Sequence, residues 1–263
     1  MEPALYNMIF KRKSFHTYRN IEEESITEEE LMEIKEAYKQ FTSLNPDIKT
    51  AISIVPAEET TCKRGEEYCI LLYSEKKDGY LRNIGYLGEQ LDLYLVSRNI
   101  GTLWFGIGKT EEETLDGMVF VIMIAIRKIS DQSKYRKVMF KSKRKPVDDI
   151  WEGDHLSGIT EIIRFTPSAC NTQPWFIKYD DHNISIYRYK KPGKRGIMPA
   201  HKVSYYNQID IGILMCFMDL CLIHHGYSYE RTLFTDDGSD QELILNAIYS
   251  ITSPNNRRIK EVI

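Results

Sequence analysis

The stretch "RFTPSACNTQPWFIKY", residues 164–179, decides how the chain is read. Pro167 and Pro174 do not suit a helix interior, so they bracket an ordered turn between an apparent helix and an alternating, strand-like segment. Between them stand Ser168, Asn171 and Gln173, and what these three hydrogen-bonding side chains bond to is the question this stretch raises.

Working outward, Asp180 to Asn183 reads as a hairpin turn between two strands. A loop with Pro192, Gly193 and Gly196 leads to "IDIGILMCFMDLCLIHHG", a strongly apolar helix closed by Gly226. "SYERTLF" and "ELILNAIYSIT" follow as strands. Upstream, "PALYNMIFKRK" reads as a short helix, and Thr27 with Glu30 makes a capping box for "SITEEELMEIKEAYKQF", which Asn45-Pro46 ends. "TAISIVPAE" and "EYCILLYSE" read as strands. Ile84, Leu87, Leu91 and Leu95 mark a helix with Gly101 at its left-handed C′ position. "TLWFGIG", a short "EEETLDG" helix and the strand "MVFVIMIAI" complete this part, and the basic segment Ser130 to Pro146 reads as a linker.

Helix, strand pair, apolar helix ending in glycine, strand: the order occurs before residue 130 and again after 155. A period this long indicates two duplicated half-domains, 1–150 and 151–263, and not a solenoid.

The 263 residues are 42% hydrophobic and 28% charged, ordinary for a globular protein. A net charge of -3 argues against nucleic acid or an anionic membrane as partner. The five cysteines form no CxxC pair and fit free thiols in a reducing compartment. The N-terminus lacks the pattern of a secretory signal, and no apolar run is expected to reach the roughly 20 residues of a membrane span. A cytoplasmic location is expected.

Three separated motifs resemble the FMN-dependent nitroreductase family: "RKSFHTY" (Arg12 to Tyr18), "NIGTLWFGIG" (Asn99 to Gly108) and "TPSACNTQPW" (Thr166 to Trp175), with "RKPVDDIW" (Arg144 to Trp151) a weaker fourth. The resemblance implies an α+β, nitroreductase-like fold with mixed, mostly antiparallel sheets packed on helices. Their order departs from the family, in which the Pro-Ser-x-x-Asn element precedes the glycine-terminated helix and reaches the flavin from the partner subunit. Here the expected position holds "TSLNPDIKTAIS" and the motif lies in the second half. The chain therefore resembles a pseudo-dimer fused into one polypeptide, with one complete site and one FMN.

What the resemblance implies for the site follows residue by residue. Arg12, Lys13, Ser14 and Arg144 would hold the phosphate, with His16 standing where the family usually has arginine. The backbone of Phe105, Gly106 and Ile107 would approach the ring, and Pro167, Ser168 and Ala169 would cover its pyrimidine and ribityl side. Ser168 would bond the flavin, while Asn171 and Gln173 would brace the loop and bond the ring's polar edge. FMN would carry the chemistry, NADH or NADPH would reduce it, and a nitroaromatic, quinone or similar flat small molecule would accept the electrons. No catalytic side chain and no metal is required. The chain would act as a monomer with pseudo-dimeric halves or a weak homodimer, without nucleic-acid or membrane partners.

Blander readings stand beside these. "KRKS" alone is a solvated basic patch, and "KYRKVMFKSKRK" a solvated linker in preference to a nucleic-acid surface. Adjacent His224 and His225 lack partners at ligand spacing, and Cys170 is structural in preference to nucleophilic. The alternative function is a catalytically retired nitroreductase fold that binds a small molecule or a protein.

Overall fold

Local rules account for most elements of the computed structural model, which describes residues 4–252 apart from positions 20, 22, 23, 192, 194 and 237–240. Helix α1 (Leu5–Lys11) buries Leu5, Tyr6 and Ile9. Helix α2 (Glu28–Gln40) opens on the expected capping box: the Glu30 amide donates to Thr27 Oγ1 at 3.2 Å and the Thr27 amide to Glu30 Oε2 at 3.0 Å. Strands β1 (Thr50–Pro56) and β2 (Tyr68–Ser74) pair antiparallel, and α3 (Tyr80–Ser97) follows. Then β3 (Ile100–Phe105), β4 (Thr114–Leu115) and β5 (Met118–Lys128) complete a sheet ordered β1-β2-β5-β3, with β4 on β5.

The second sheet begins with β6 (Trp151–Glu152), followed by the single turn α4 (Thr160–Ile163). Strands β7 (Trp175–Asp180) and β8 (Asn183–Tyr189) form the expected hairpin, turned by Asp181 and His182 at φ 43° and 62°. Helix α5 (Val203–His224), β9 (Ser228–Leu233) and β10 (Leu243–Thr252) follow, giving the order β6-β7-β8-β10-β9. Every pairing is antiparallel except β6 with β7. Without β4 and β6, the sheets read β1-β2-β5-β3 and β7-β8-β10-β9, each with its long helix after the second strand of the path.

Those helices cross at two glycines. A Cβ on Gly85 would lie 2.0 Å from the Ile209 carbonyl oxygen, and one on Gly212 would lie 1.9 Å from that of Arg82. Only hydrogen fits where the backbones touch. Helix α5 is apolar on all sides because α3 and the second sheet cover it. Contrary to expectation, Ala200–His224 is long and apolar enough, by length and composition, to cross a membrane; 89% of its most apolar window is buried inside the protein.

Four local expectations are corrected. "EEETLDG" is not a helix: Asp116 and Gly117 take φ 48° and 78°, turning β4 onto the long β5 ladder, and Asp-Gly hairpin chemistry overrides helix propensity. The left-handed residue after α3 is Asn99 (φ 58°), and Gly101 lies inside β3. Gly101 is small for packing: a Cβ would stand 2.6 Å from Ile129 Cγ1 and 2.9 Å from Phe15 Cδ2. Helix α2 ends at Gln40, before Asn45-Pro46. The basic segment after Ser130 is more than a linker, since 3-10 turns at Gln132–Lys134 and Met139–Lys141 bury Tyr135 and Met139. Helix α1 also reaches across the chain: Leu5, Tyr6 and Ile9 join the apolar cluster of the second sheet, and Tyr6 stacks on His224 at 3.6 Å.

Candidate active site

A cleft of about 570 Å³ opens where β3 and β5 of the first sheet meet α5 and the loop before β7. Its apolar wall comes from Leu103 on β3, Ile122 on β5, Ile209 and Ile213 on α5, and Met198 before α5. One rim carries Arg12, Lys13, Ser14 and His16, which follow α1. Phe105, Gly106 and Ile107 line it as the chain leaves β3, and Arg144 joins from the basic segment. Pro167, Ser168, Ala169 and Asn171 face these from the other half. Of the residues singled out from sequence, Gln173 alone is not among the lining residues of this cleft.

Two of these residues behave differently from expectation. The Arg12 guanidinium does not stand free for a phosphate. It is buried and donates to Asp92 Oδ2 through Nε at 2.9 Å and Nη2 at 2.8 Å, with Glu89 Oε1 at 3.8 Å. Asp92 also accepts from Thr102 Oγ1 at 2.6 Å and Trp104 Nε1 at 2.8 Å, so the cluster is an internal brace. The physical reason is α3, whose inward face offers two carboxylates, Glu89 and Asp92, that no other guanidinium contacts among the described residues. Gln173 is buried and its amide is spent on the loop: Oε1 accepts from the Lys145 amide at 2.9 Å and Nε2 donates to the Asn171 carbonyl at 3.4 Å. Its side-chain amide is engaged within the loop and the basic segment, away from the lining of the cleft.

The loop itself is strained. Cys170, Asn171 and Gln173 hold φ of 50°, 55° and 48°, a region that non-glycine residues rarely enter. Such conformations persist only where the surroundings impose them, and they cluster at functional sites. Ser168 Oγ accepts from the Gln173 amide at 3.0 Å, and the Ala169 amide donates to Asp210 Oδ1 at 2.9 Å. Asn171 Oδ1 accepts from Arg144, and Nδ2 donates to the Lys143 carbonyl at 3.2 Å. The opening question therefore has a mostly internal answer: Gln173 and Asn171 tie the loop to the basic segment, and the Ser168 hydroxyl proton is left to point elsewhere.

Sequence reading missed Arg136, Asp210 and Tyr206, all of which line the cleft. Arg136 was hidden in a run of basic residues read as solvated linker. Burial and then the nearby Arg12 lower its pKa to about 10, and Arg144 is lowered to about 10 by burial, Arg136, Arg12 and Arg164. Cations are thus crowded here, and among the described residues neither Arg136 nor Arg144 is paired with a carboxylate. Asp210 lies on α5, two residues before the crossing glycine. Burial pushes its pKa up to about 8, against a lowering from the Ala169 amide, and Oδ2 has no hydrogen-bond partner. Tyr206 donates its hydroxyl to the Gly106 carbonyl, and a Cβ on Gly106 would meet the Tyr206 ring at 2.8 Å. Asp210 does carry a signal, a carboxylate inside an otherwise apolar helix, whereas nothing in the sequence marks Tyr206.

The corresponding place on the other side of the helix crossing is closed. Counting back three residues from each glycine pairs Ile209 of the open cleft with Arg82. Arg82 Nη1 donates to the carbonyls of Phe234 at 2.9 Å and Asn246 at 2.8 Å, leaving a cavity of about 110 Å³.

A family model described as "Putative TM nitroreductase" matches residues 4–221. The structure of a "putative nitroreductase" from Thermotoga maritima superimposes with a TM-score of 0.60 at 18% identity, covering 94% of this chain and 93% of that one. Shorter chains match over part of the molecule. One is a nitroreductase with bound FMN from Desulfitobacterium hafniense (TM-score 0.40, 15% identity, 56% of this chain and 100% of that one). Another, from Desulfovibrio desulfuricans, is a "putative nitroreductase" in complex with FMN (0.42, 18%, 59% and 99%). No curated protein matches the sequence.

Proposed function

The chain belongs to the nitroreductase family matched over residues 4–221, and on that premise we propose that it holds one FMN in the cleft between its halves and works as an NAD(P)H-dependent oxidoreductase. The observation that carries this reading is the pair Arg136 and Arg144 at an apolar cleft, two half-buried guanidiniums without a carboxylate partner among the described residues. Two cations crowded together and stripped of water are stabilised by a dianion, and guanidinium forks suit phosphate oxygens. Arg144 Nε is buried without a hydrogen-bond partner, a donor such a ligand would satisfy.

The remaining lining residues fit the rest of the cofactor. Leu103, Ile122, Ile209 and Ile213 offer a dry wall for a flat ring, and a cleft of about 570 Å³ lies within the usual cofactor range. Gly106, held by Tyr206, lets backbone approach the ring without a side chain between. Ser168 has a hydroxyl proton to donate, and Asp210, held neutral by burial below about pH 8, can donate from its free oxygen. When bound, FMN supplies two-electron transfer between a nicotinamide and a flat acceptor such as a nitroaromatic or a quinone. The chain's own share is to bind, orient and exclude water. Because both halves, 1–150 and 151–263, furnish walls of one cleft, the reading needs no second chain. The five free thiols support a reducing, cytoplasmic setting.

The test is a visible absorption spectrum of the purified protein with and without added FMN, followed by anaerobic NADH and NADPH. Flavin at close to one per chain, bleached by a nicotinamide, is the expected result. A protein that ignores FMN would sink the reading in favour of the retired binding module, for which the internal engagement of Arg12 is the supporting observation.

A further inference from the structure

We propose that Cys62, Glu66 and Cys69 form a binding site for one thiophilic divalent cation, zinc in the first instance, under the loop that carries Lys63, Arg64 and Gly65. Their ligand atoms, two sulfurs and a carboxylate oxygen, lie within 4.8 Å of one another. On tetrahedral zinc with bonds of about 2.0–2.3 Å, neighbouring ligand atoms stand roughly 3.3–3.8 Å apart, so closure needs a contraction of about 1.5 Å at most.

The ligands come from elements of different rigidity. Cys69 is fixed in β2, between Val55 of β1 and Ala125 of β5. Cys62 and Glu66 lie on the loop entering that strand. The Cys62 amide donates to Thr60 Oγ1 at 3.2 Å, and the Arg64 amide donates to Glu66 Oε2 at 2.7 Å. Both cysteines are fully buried and Glu66 is 7% exposed.

A second observation, independent of the clustering, points to a ligand. Glu66 Oε1 is buried without any hydrogen-bond partner, and no basic side chain pairs with the carboxylate among the described residues. A buried carboxylate with an open oxygen is costly unless something positive meets it. The donor set selects the cation. Magnesium and calcium prefer shells of oxygen, which two sulfurs cannot supply, and iron–sulfur clusters require more cysteines. Zinc accepts thiolate and carboxylate together. Binding would release the two thiol protons to solvent, and Thr60 Oγ1, 3.4 Å from Cys69 Sγ, borders the remaining coordination position.

Such a cation would tie the loop to the sheet. Lys63, Arg64 and Gly65 line a basic depression of about 410 Å³ with His16, Thr17 and Arg19, next to the main cleft, and Arg64 lines both.

The experiment uses the full chain, reduced and freed of metal, and titrates it with zinc and then with cobalt. The expected result is one zinc retained per chain after dialysis, and a thiolate-to-cobalt charge-transfer band. Both should be lost in Cys62→Ser and Cys69→Ser and kept in Cys170→Ser, which removes the exposed cysteine. If the buried variants fail to fold, wild-type protein decides: in urea just sufficient to expose the buried thiols of the metal-free chain to alkylation, zinc should slow modification at Cys62 and Cys69, identified by mass spectrometry, and not at Cys170. No retained zinc, a band that persists in Cys62→Ser, protection at other cysteines, or a Cys62–Cys69 disulfide in freshly isolated protein would each overturn the proposal. None of these readouts involves flavin, so this proposal and the proposed function fail separately.

Discussion

The two sides of the helix crossing are built alike and end differently. Two residues before Gly85 stands Asn83, and two before Gly212 stands Asp210. Asn83 Oδ1 accepts from Ser43 Oγ at 2.8 Å, the Leu44 amide at 3.0 Å and the Asn45 amide at 3.2 Å, which draws the "TSLNP" loop down onto α3. Asp210 accepts one amide, that of Ala169, and its loop stands off as a wall of the cleft. Arg82 fills the first side, where Ile209 lines the second. One scaffold thus makes a packed core or an open site, depending on a few side chains at the same positions. Seven residues after each glycine the likeness returns: Asp92 holds Arg12, Thr102 and Trp104, and Asp219 accepts from Arg231 and Tyr86.

The largest test of this comparison removes the aspartates. Asp92→Ala leaves the Arg12 guanidinium buried without its main partner, and about 3–5 kcal/mol of stability should be lost in urea denaturation. Asp219→Ala should cost less, because Arg231 is 14% exposed and can turn to water, against 4% for Arg12. Equal losses would break the distinction between a brace beside a cleft and one inside a core.

Next comes the cationic rim. Arg144→Ala should weaken FMN binding about 10- to 100-fold, the loss of one charge-assisted contact, measured by flavin fluorescence quenching. Arg82→Ala should leave flavin stoichiometry unchanged, since among the described residues the closed side has no Pro-Ser loop and its other guanidinium, Arg188, is paired with Asp236. A second flavin in that variant would show that the plug alone separates the two sides.

The smallest effect per unit of measurement is a pH slope. Folded Asp210 binds its proton up to about pH 8, whereas an unfolded aspartate releases it near 4. Between those values the native state holds more protons, so stability from this residue falls as pH rises, by about 1.4 kcal/mol per pH unit, and levels off above about 8. Asp210→Asn keeps the acceptor for the Ala169 amide and removes the slope. Its melting temperature should gain on wild type from pH 5 to 8, and parallel curves would show that Asp210 is solvated.

Much of the architecture was legible because local chemistry and tertiary contacts agreed. The Thr27–Glu30 capping box, the Asp181-His182 hairpin, the striped helix α3 and the strongly apolar helix α5 all stand where the residues indicate. Where they disagreed, sequence misled. "EEETLDG" has helical composition, yet its Asp-Gly pair turns onto the edge of β5. Gly101 looks like a helix cap, yet Asn99 caps and Gly101 yields room to Phe15.

The site divides in the same way. Short motifs keep their residues together in the chain, so Lys13, Ser14 and His16, Phe105 to Ile107 and Pro167 to Ala169 could be named in advance, and they do line one cleft. The sequence by itself determined which turns, caps and strained loops could form, because those depend on neighbours a few residues apart. Only the tertiary structure decided that Arg12 would pair with Asp92, 80 residues away, that Arg136 would face the cleft, and that Asp210 would lie buried beside the loop. A charged or polar side chain takes whatever partner packing brings within about 3 Å, and that partner is chosen by the crossing of α3 and α5, not by anything adjacent in the chain.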